Sequence, residues 1–431
     1  MKNAATIFAL SSGAPPSAIA IVRISGPAAF GAVKQLTGRK LPMRKPSLAK
    51  LYDPMDSTVL DQALVLLFPA PNSATGEDLA ELHLHGGRAV VRAVEGVLGR
   101  IEGMRPALAG EFTRRAFLNG RIDLNEADGL SDLLSAETEW QRRSAVEMLG
   151  GAFSRAVEGW RTELLRISAL TEAELDLSDE DDVSDQNSHV ITDACIRLRR
   201  EIDKLLARPA AEKLRDGLRI VLGGPPNSGK STLLNALVER DAAIVSDIAG
   251  TTRDVIEVPM AIDGMAFIFT DTAGVRIDSD DAIENIGIEK AHHAFSLADM
   301  ILWLGPEEQA PAHPNVIQVE TKSDIAARQQ KSAKSFWVSG KTGAGLSLLL
   351  ADISRRAKTL LPPEDSYAVN MRQRALLADA AAALTEVEGI DDWLIIAEQL
   401  RLARLALDAL TGRSHTEDLL DVVFGTFCVG K

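Results

Sequence analysis

One segment, residues 224–231, constrains the fold more than any other part of the chain. Its sequence, Gly-Pro-Pro-Asn-Ser-Gly-Lys-Ser, fits the pattern G-x-x-x-x-G-K-[S/T]. It stands between a short apolar run, Leu218–Leu222, and a helical pattern that carries Leu233, Leu234 and Leu237. Glycines let backbone N–H groups face phosphate oxygens, and the helix start adds the positive end of its dipole. The segment therefore predicts a phosphate-binding loop in an α/β domain.

Two side chains of this loop have defined roles in phosphate binding. Lys230 is expected to reach the β- and γ-phosphates, and Ser231 to ligate Mg²⁺. The other residues predicted to contact the nucleotide from this segment are Asn227, Ser228, Gly229 and Thr232.

Two further motifs follow in the order that a GTPase requires. Residues 250–254, Gly-Thr-Thr-Arg-Asp, precede a predicted strand and offer the hydroxyls of Thr251 and Thr252 to a metal ion. Asp271 begins a second motif, Asp-Thr-Ala-Gly, directly after a predicted strand, Phe267–Thr270. That is the position of a Walker-B aspartate, followed by a glycine that senses the γ-phosphate. The motif residues in question are Gly250, Thr251, Thr252, Asp271, Thr272, Ala273 and Gly274.

The base-recognition motif is Thr321-Lys322-Ser323-Asp324, after the predicted strand Val316–Glu320. Asp324 can accept two hydrogen bonds from guanine N1 and N2, which adenine cannot supply, so the site should prefer GTP to ATP. Asparagine is the usual first residue of this tetrapeptide, and Thr321 is expected to weaken base anchoring. A last segment, formed by Ser339, Gly340 and Lys341, completes the loop on the base side.

The residue that usually orients the attacking water is absent. Ras-type proteins place a glutamine directly after the Asp-x-x-Gly motif, whereas this chain has Val275. Another group must orient the water. The candidates are the downstream carboxylates Asp278, Asp280, Asp281 and Glu284, and Arg276 could in principle stabilise charge.

The hydrophobic pattern changes three times along the chain. It predicts an α+β domain over 1–120, helices over 121–216, a doubly wound domain over 217–361 and helices again over 362–431. The simplest arrangement inserts the α/β domain into a helical domain. The predicted strands are 18–24, 63–68, 79–84, 218–222, 255–262, 265–270, 300–304, 316–320 and 336–338, with a hairpin at Asp263-Gly264, and the predicted helices of the last part are 374–387 and 393–410.

Charge and cysteine content restrict the partners. The net charge is −14, yet residues 1–120 carry 14 basic and 9 acidic residues, so a polyanionic partner is expected to meet that part. Cys195 and Cys428 are too far apart in sequence to suggest a disulfide framework or a zinc site, which fits a cytoplasmic protein. We find no apolar run of 18 residues and expect no membrane span. His83 and His85 alternate on a strand but lack a third metal ligand nearby in sequence.

The combination of these motifs resembles the MnmE (TrmE) family of tRNA modification GTPases. The resemblance covers nearly the whole chain. Besides the nucleotide motifs, the segments that carry it are 23–26, 71–78, 85–87, 110–120 and the chain end 427–431, Phe-Cys-Val-Gly-Lys.

The resemblance implies a folate-binding α+β N-terminal domain that forms a homodimer, a helical domain and an inserted Ras-like G domain. With the FAD-dependent protein MnmG, in a heterotetramer, it implies modification of the wobble uridine of certain tRNAs at C5 with a one-carbon unit from a 5-formyl- or methylene-tetrahydrofolate.

The resemblance also assigns residues. Asn227, Ser246, Ile248 and Thr251 would surround a K⁺ ion in the place of an arginine finger, and Ser231 and Thr252 would hold Mg²⁺. Glu284 corresponds to the catalytic glutamate that orients water, with Asp281 as the alternative. Asp247 and Ala249 belong to the same nucleotide segment. The predicted folate residues are Arg23, Glu81, Arg121 and Lys431.

Two questions stay open at the level of sequence. Cys428 is either a reactive, catalytic thiol or a buried inert cysteine. The alternative to a tRNA-modifying enzyme is a regulatory GTPase of ribosome assembly, which would have no use for a folate pocket. A third hypothesis for the function is an ATPase, which would require that Asp324 does not discriminate guanine from adenine.

Overall fold

The computed structural model describes two compact units of the chain. One comprises Met1–Ser131 with Asp408–Lys431, and the other Asp132–Leu407. The residues described are 5–177, 186–241, 256–271, 293–325, 334–364, 366–414 and 416–431. The predicted domain boundaries at residues 120, 216 and 361 stay predictions.

A six-stranded sheet forms the centre of the first unit, in the order β3-β4-β5-β2-β1-β6. Its strands are β1 (Thr6–Leu10), β2 (Ile19–Ser25), β3 (Ser47–Tyr52), β4 (Val59–Phe68), β5 (Leu79–His85) and β6 (Met104–Pro106). Alternation along β2 and β5 buries Val22, Ile24, Leu82 and Leu84 in one core. The opposite face carries Arg23, which is the register partner of Glu81. One face of the sheet is thus core, and the other presents charged groups.

A second six-stranded sheet lies in the other unit, in the order β12-β11-β10-β7-β9-β8. Its strands are β7 (Leu218–Gly223), β8 (Ile256–Ile262), β9 (Met265–Asp271), β10 (Met300–Trp303), β11 (Val316–Glu320) and β12 (Phe336–Trp337). All neighbouring pairs are parallel except β8 and β9. Asp263 and Gly264, at φ 50° and 75°, form the turn between them, so the predicted hairpin is confirmed.

Thirteen helices have complete bounds within the described residues. They are α1 (Ala29–Thr37), α2 (Arg88–Leu98), α3 (Glu111–Leu118), α4 (Leu124–Ser135), α5 (Glu139–Leu149), α6 (Ala152–Leu177), α7 (Gln186–Leu206), α8 (Ala211–Asp216), α9 (Lys230–Asp241), α10 (Leu346–Leu360), α11 (Met371–Thr385), α12 (Trp393–Thr411) and α13 (Glu417–Gly425). Helix α7 packs against α6 and α11. Within the described ranges, no helix combines the length and the apolar character that crossing a membrane requires.

The helices α9 and α10 cover one face of the second sheet through a core that includes Leu233, Leu237, Leu349 and Ile353. On the other face, Val221 and Ile301 pack against Phe295, in a helical stretch over residues 293–297. The connection from β10 to β11 holds only one 3₁₀ turn, Glu307–Gln309. This crossover therefore contributes no α-helix of its own between the two strands.

Candidate functional site

The phosphate loop lies between the end of β7 and the start of α9. Three of its residues have positive φ: Gly224 at 142°, Asn227 at 61° and Gly229 at 99°. A side chain at Gly224 would meet the Leu304 backbone at 3.0 Å. Glycine is therefore required at positions 224 and 229 by backbone conformation and by space.

Lys230 lies folded over this loop. Its Nζ donates to the carbonyls of Gly224 at 2.8 Å and Pro225 at 3.1 Å, and the residue is buried. Burial lowers the pKa of the ammonium group, and the charge of Asp271 partly opposes that shift. The loop carbonyls thus hold the cation at the site where anionic phosphates are expected.

Ser231, the predicted magnesium ligand of the loop, is in direct contact with Asp271, which was predicted at the Walker-B position. The Ser231 hydroxyl donates to Oδ2 of Asp271 at 2.6 Å, and Asp271 is the last residue of β9, one residue beyond the predicted end of that strand. A hydroxyl and a carboxylate are hard oxygen ligands of the kind that Mg²⁺ binds, so the pair fits a magnesium site.

The base-side segment is joined to the phosphate loop at two points. The Thr321 hydroxyl donates to the Ser228 carbonyl at 2.5 Å, and Lys322 Nζ donates to the Asn227 carbonyl at 3.0 Å. Thr321 is buried. Thr321, which stands in place of the usual asparagine, thus forms a hydrogen bond between the base-side segment and the phosphate loop. This bond was not predicted from the sequence.

Asp324 is held by the second base-side segment. The hydroxyl of Ser339, which is fully buried, donates to Oδ1 of Asp324 at 2.6 Å. This bond lowers the pKa of the Asp324 carboxyl, so the group is ionised at neutral pH. The backbone N–H groups of Lys341 and Thr342 donate to the same hydroxyl. Gly340 lies against Thr232, whose carbonyl would be 2.9 Å from an added Cβ. The structure therefore brings the predicted base-side residues together.

A cleft of about 590 Å³ runs along the phosphate loop. Residues 225–228 form one side, and residues 304–308 and 318–321 form the other. The 3₁₀ turn Glu307–Gln309 in the connection from β10 to β11 borders this cleft.

Part of the predicted site lies outside the described residues. These predicted site residues are Ser246, Asp247, Ile248, Ala249, Gly250, Thr251, Thr252, Thr272, Ala273, Gly274 and Glu284, together with the alternative Asp281. Their roles stay predictions.

The residues predicted to bind folate lie in the first unit. Arg23 and Glu81 form an ion pair at 2.9 Å across β2 and β5, and both side chains are partly exposed. Glu81 also lies 3.4 Å from Nε2 of His83, and the Arg23 guanidinium lies 5.9 Å from the centre of the Phe112 ring. Two of the four predicted residues thus form one charged unit beside an aromatic ring.

The chain end is fixed to this unit by backbone contacts. The Ser11 hydroxyl donates to the Gly430 carbonyl at 2.8 Å, and Val429 forms a bridge with Ala109. Gly430 has φ 95°, and a Cβ there would lie 2.0 Å from the Leu10 carbonyl. Lys431 therefore ends the chain next to β1, which is the neighbour of β2.

Arg121 follows helix α3 and is exposed. Its Cγ would lie 3.3 Å from a Cβ at Gly76, in the turn that also contains Thr75 and Glu77. Both of these residues hydrogen-bond Ser25 at the end of β2, at 2.7 and 2.8 Å. The turn thus connects the surroundings of Arg121 to the strand that carries Arg23.

A buried charge network supports this turn and was not predicted. Arg115 is 2% exposed and pairs with Glu77 and Glu111, each at 2.9 Å, and Arg105 binds Glu111 from outside. Burial raises the pKa of the Glu111 carboxyl, but hydrogen bonds from Arg105, from the Leu108 N–H and from Arg115 outweigh it and bring the pKa to about 2. In the sequence, the only sign of this network was the spacing of Glu111 and Arg115, which are four residues apart and so share one face of a helix.

The two cysteines differ in environment. Cys195 is buried in α7, and burial raises the pKa of its thiol to about 12, so it is inert. Cys428 is exposed, which removes the buried alternative for it and leaves its catalytic role a prediction. Among the described residues, no three His, Cys, Asp or Glu side chains are grouped as metal ligands, and this includes His83 and His85.

Comparison with known proteins gives matches along the whole chain. A family model described as the GTP-binding protein TrmE N-terminus matches residues 6–121, and one described as the MnmE helical domain matches residues 124–428. The protein named tRNA modification GTPase MnmE from Erythrobacter litoralis is 53% identical over 99% of this chain and 100% of its own length. The proteins of that name from Novosphingobium aromaticivorans and Rhizorhabdus wittichii are 51% and 52% identical, each over 99% of this chain and over 99% and 96% of their own lengths.

Among solved structures, the G domain of the T. maritima FeoB iron transporter covers 32% of this chain and 98% of its own length. The identity is 22% and the TM-score 0.25, so the similarity adds nothing to the fold described above.

Proposed function

The chain belongs to the MnmE family of tRNA modification GTPases, and on that basis we propose that it is a potassium-dependent GTPase that acts on the wobble uridine of certain tRNAs. In this proposal it works as a homodimer with the flavoprotein MnmG and transfers a one-carbon unit from a tetrahydrofolate to C5 of the uridine. The chain is a GTP hydrolase. The observation that carries the nucleotide site is the convergence of Ser231 with Asp271, and of Asp324 with Ser339, around one loop.

The phosphate loop supplies fixed positive charge to the transferred phosphoryl group. Lys230 is held by the Gly224 and Pro225 carbonyls at the loop proposed to bind the phosphates, and its ammonium group would donate to phosphate oxygens. The Ser231 hydroxyl and, on the β9 side, the Asp271 carboxylate would hold Mg²⁺, which would supply positive charge to the phosphates. Preorganised charge of this kind stabilises the transition state more than the ground state.

We propose K⁺ as the substitute for an arginine finger. The described member of the proposed ligand set is Asn227, an exposed residue of the phosphate loop with φ 61°. The carboxamide oxygen of Asn227, together with the hydroxyl and backbone carbonyl oxygens of the other proposed ligands, gives a set of neutral oxygen ligands. Such ligands suit a large monovalent cation. The ion would add positive charge beside the phosphates as the transition state develops. Glu284 is proposed to orient the attacking water.

Guanine selection is assigned to Asp324. Its ionised carboxylate keeps one oxygen on Ser339 and has acceptor capacity left for guanine N1–H and N2–H₂. Adenine presents no donor at its N1 and no amino group at C2. GTP should therefore displace bound GDP far better than ATP does, and equal displacement would remove this role from Asp324.

The first unit is proposed to hold the folate. Glu81 can accept hydrogen bonds from the amino and ring N–H groups of a pterin, and Arg121 and Lys431 can meet carboxylates of the glutamate tail. The Arg23–Glu81 pair and the adjacent Phe112 ring fit such a planar, polar ligand. When bound, the folate supplies the one-carbon unit. The basic excess of residues 1–120 makes this part the expected surface for tRNA.

Titration of the purified protein with 5-formyltetrahydrofolate separates this proposal from ribosome-assembly regulation. We expect saturable binding that Arg121→Ala weakens. Arg92→Ala is the matched control, because Arg92 is an exposed arginine on α2 of the same unit and should leave binding unchanged. The absence of saturable binding, or equal binding by both variants, would contradict the folate-dependent function.

A further inference from the structure

Thr321 is the point at which the base-side segment is bound to the phosphate loop. Its hydroxyl donates to the Ser228 carbonyl at 2.5 Å, and the side chain is buried. It also packs on Gly229, where an added Cβ would lie 3.1 Å from Thr321 Oγ1. The residue therefore determines the separation between the end of β11 and the loop.

The three residues after Thr321 are also held by hydrogen bonds, to the phosphate loop on one side and to the region of residues 338–339 on the other. Lys322 reaches the Asn227 carbonyl at 3.0 Å, and the Ser323 N–H donates to the Val338 carbonyl at 3.1 Å. Asp324 is then held by Ser339. The orientation of the base-binding carboxylate thus depends on a short chain of contacts that begins at Thr321.

The chemistry of a hydroxyl limits what Thr321 can do besides this link. A hydroxyl has one hydrogen, whereas a carboxamide has two N–H donors and a carbonyl acceptor. An asparagine at this position could therefore bond the loop and still donate to N7 of a purine. The single hydrogen of Thr321 is directed to Ser228, and its oxygen is one bond closer to the backbone than an amide nitrogen would be.

We propose that Thr321 is a positioning residue that joins the base-side segment to the phosphate loop and gives no hydrogen bond to guanine N7, so that this chain recognises guanine through its N1 and N2 groups alone. The proposal rests on the guanine site assigned above to Asp324. A nucleotide that lacks N7 should accordingly bind as well as the natural one.

The test compares GDP with 7-deaza-GDP, in which carbon replaces N7, by displacement of a fluorescent GDP analogue from the full-length protein. The wild-type dissociation constants for the two nucleotides should agree within about twofold. Thr321→Val should weaken both by the same factor, roughly five- to tenfold, because the Ser228 carbonyl loses its donor. Thr321→Asn should restore N7 recognition and raise the ratio of the two constants to roughly fivefold.

Thr171→Val is the matched control, because it makes the same change at a buried threonine of helix α6 in the same unit. The Thr171 hydroxyl donates to the Ile167 carbonyl at 3.1 Å and is no part of the nucleotide site, so its removal should change neither constant. A wild-type preference for GDP of tenfold or more would overturn the proposal. So would unchanged GDP binding by Thr321→Val, or an unchanged ratio in Thr321→Asn. If ATP competed as well as GTP, the site assignment to Asp324 would fail instead, which is a distinguishable result.

Discussion

Replacing Glu111 by glutamine tests the buried charge network of the first unit. The substitution keeps the shape of the side chain and removes its charge. In the folded protein the Glu111 pKa is about 2, against an ordinary value of 4.5, and the side chain is 7% exposed. One pKa unit corresponds to about 1.4 kcal/mol, so the difference between 4.5 and about 2 gives roughly 3.5 kcal/mol as an upper bound. Because Arg105 is partly exposed, we expect about 2–3 kcal/mol.

The pH dependence follows from the direction of this shift. The folded pKa lies below the unfolded one, so the contribution is complete above pH 4.5 and is lost as the pH falls from 4.5 towards 2. The free energy of unfolding of the wild type should therefore approach that of Glu111→Gln at acid pH. At neutral pH the two should differ by the full amount.

Hydrogen exchange of helix α3 is the suitable measurement, because all five tryptophans lie in the other unit and report little on this one. At neutral pH, Glu111→Gln should lower the protection of α3 amides roughly 30- to 150-fold. Glu417→Gln is the control: Glu417 is an exposed residue of the same unit that pairs with Arg114 of α3, and an exposed ion pair should contribute little. A difference below about fivefold, or one that persists unchanged at pH 3, would refute the reasoning.

Three further predictions concern the two sites. Asp324→Asn replaces an acceptor by an N–H donor, so GDP affinity should fall roughly tenfold or more while the affinity for xanthosine diphosphate rises. Nucleotide displacement measures both affinities, and unchanged selectivity would contradict the guanine site. Ser231→Ala leaves Asp271 as the described oxygen ligand, so the Mg²⁺ concentration for half-maximal GTP hydrolysis should rise roughly tenfold, and an unchanged titration would exclude Ser231 as a ligand. Gly430→Ala forces a Cβ against the Leu10 carbonyl, so the chain end should detach and folate binding should weaken, whereas full binding would separate the chain end from the folate site.

The phosphate loop could be predicted because its geometry is local. Glycines, a strand before them and a helix after them specify the loop, and the order of motifs placed Asp271 at the end of β9. The hairpin at Asp263-Gly264 followed from turn chemistry in the same way. The sequence of neighbouring residues was sufficient in each case.

One local signal was missed: helix α11 begins at Met371, three residues before the predicted start, because Asn370 and Gln373 form a capping box. The other missed features depend on distant parts of the chain. The Thr321–Ser228 bond joins residues 93 positions apart. The Arg115–Glu77 ion pair spans 38 positions, and periodicity does not identify which charges are buried together. Strand β4 begins at Val59 rather than Ala63, because pairing with β3 extends it.

We propose that a potassium ion at the phosphate loop accelerates GTP hydrolysis. The measurement that tests it most directly is the single-turnover rate of hydrolysis in K⁺ and in Na⁺ at equal ionic strength, for the wild type and for Asn227→Ala. The wild-type rate should be at least roughly tenfold higher in K⁺, since fixed charge beside the phosphates acts on the transition state, and Asn227→Ala should lose that difference. Equal rates in both salts for the wild type would contradict it.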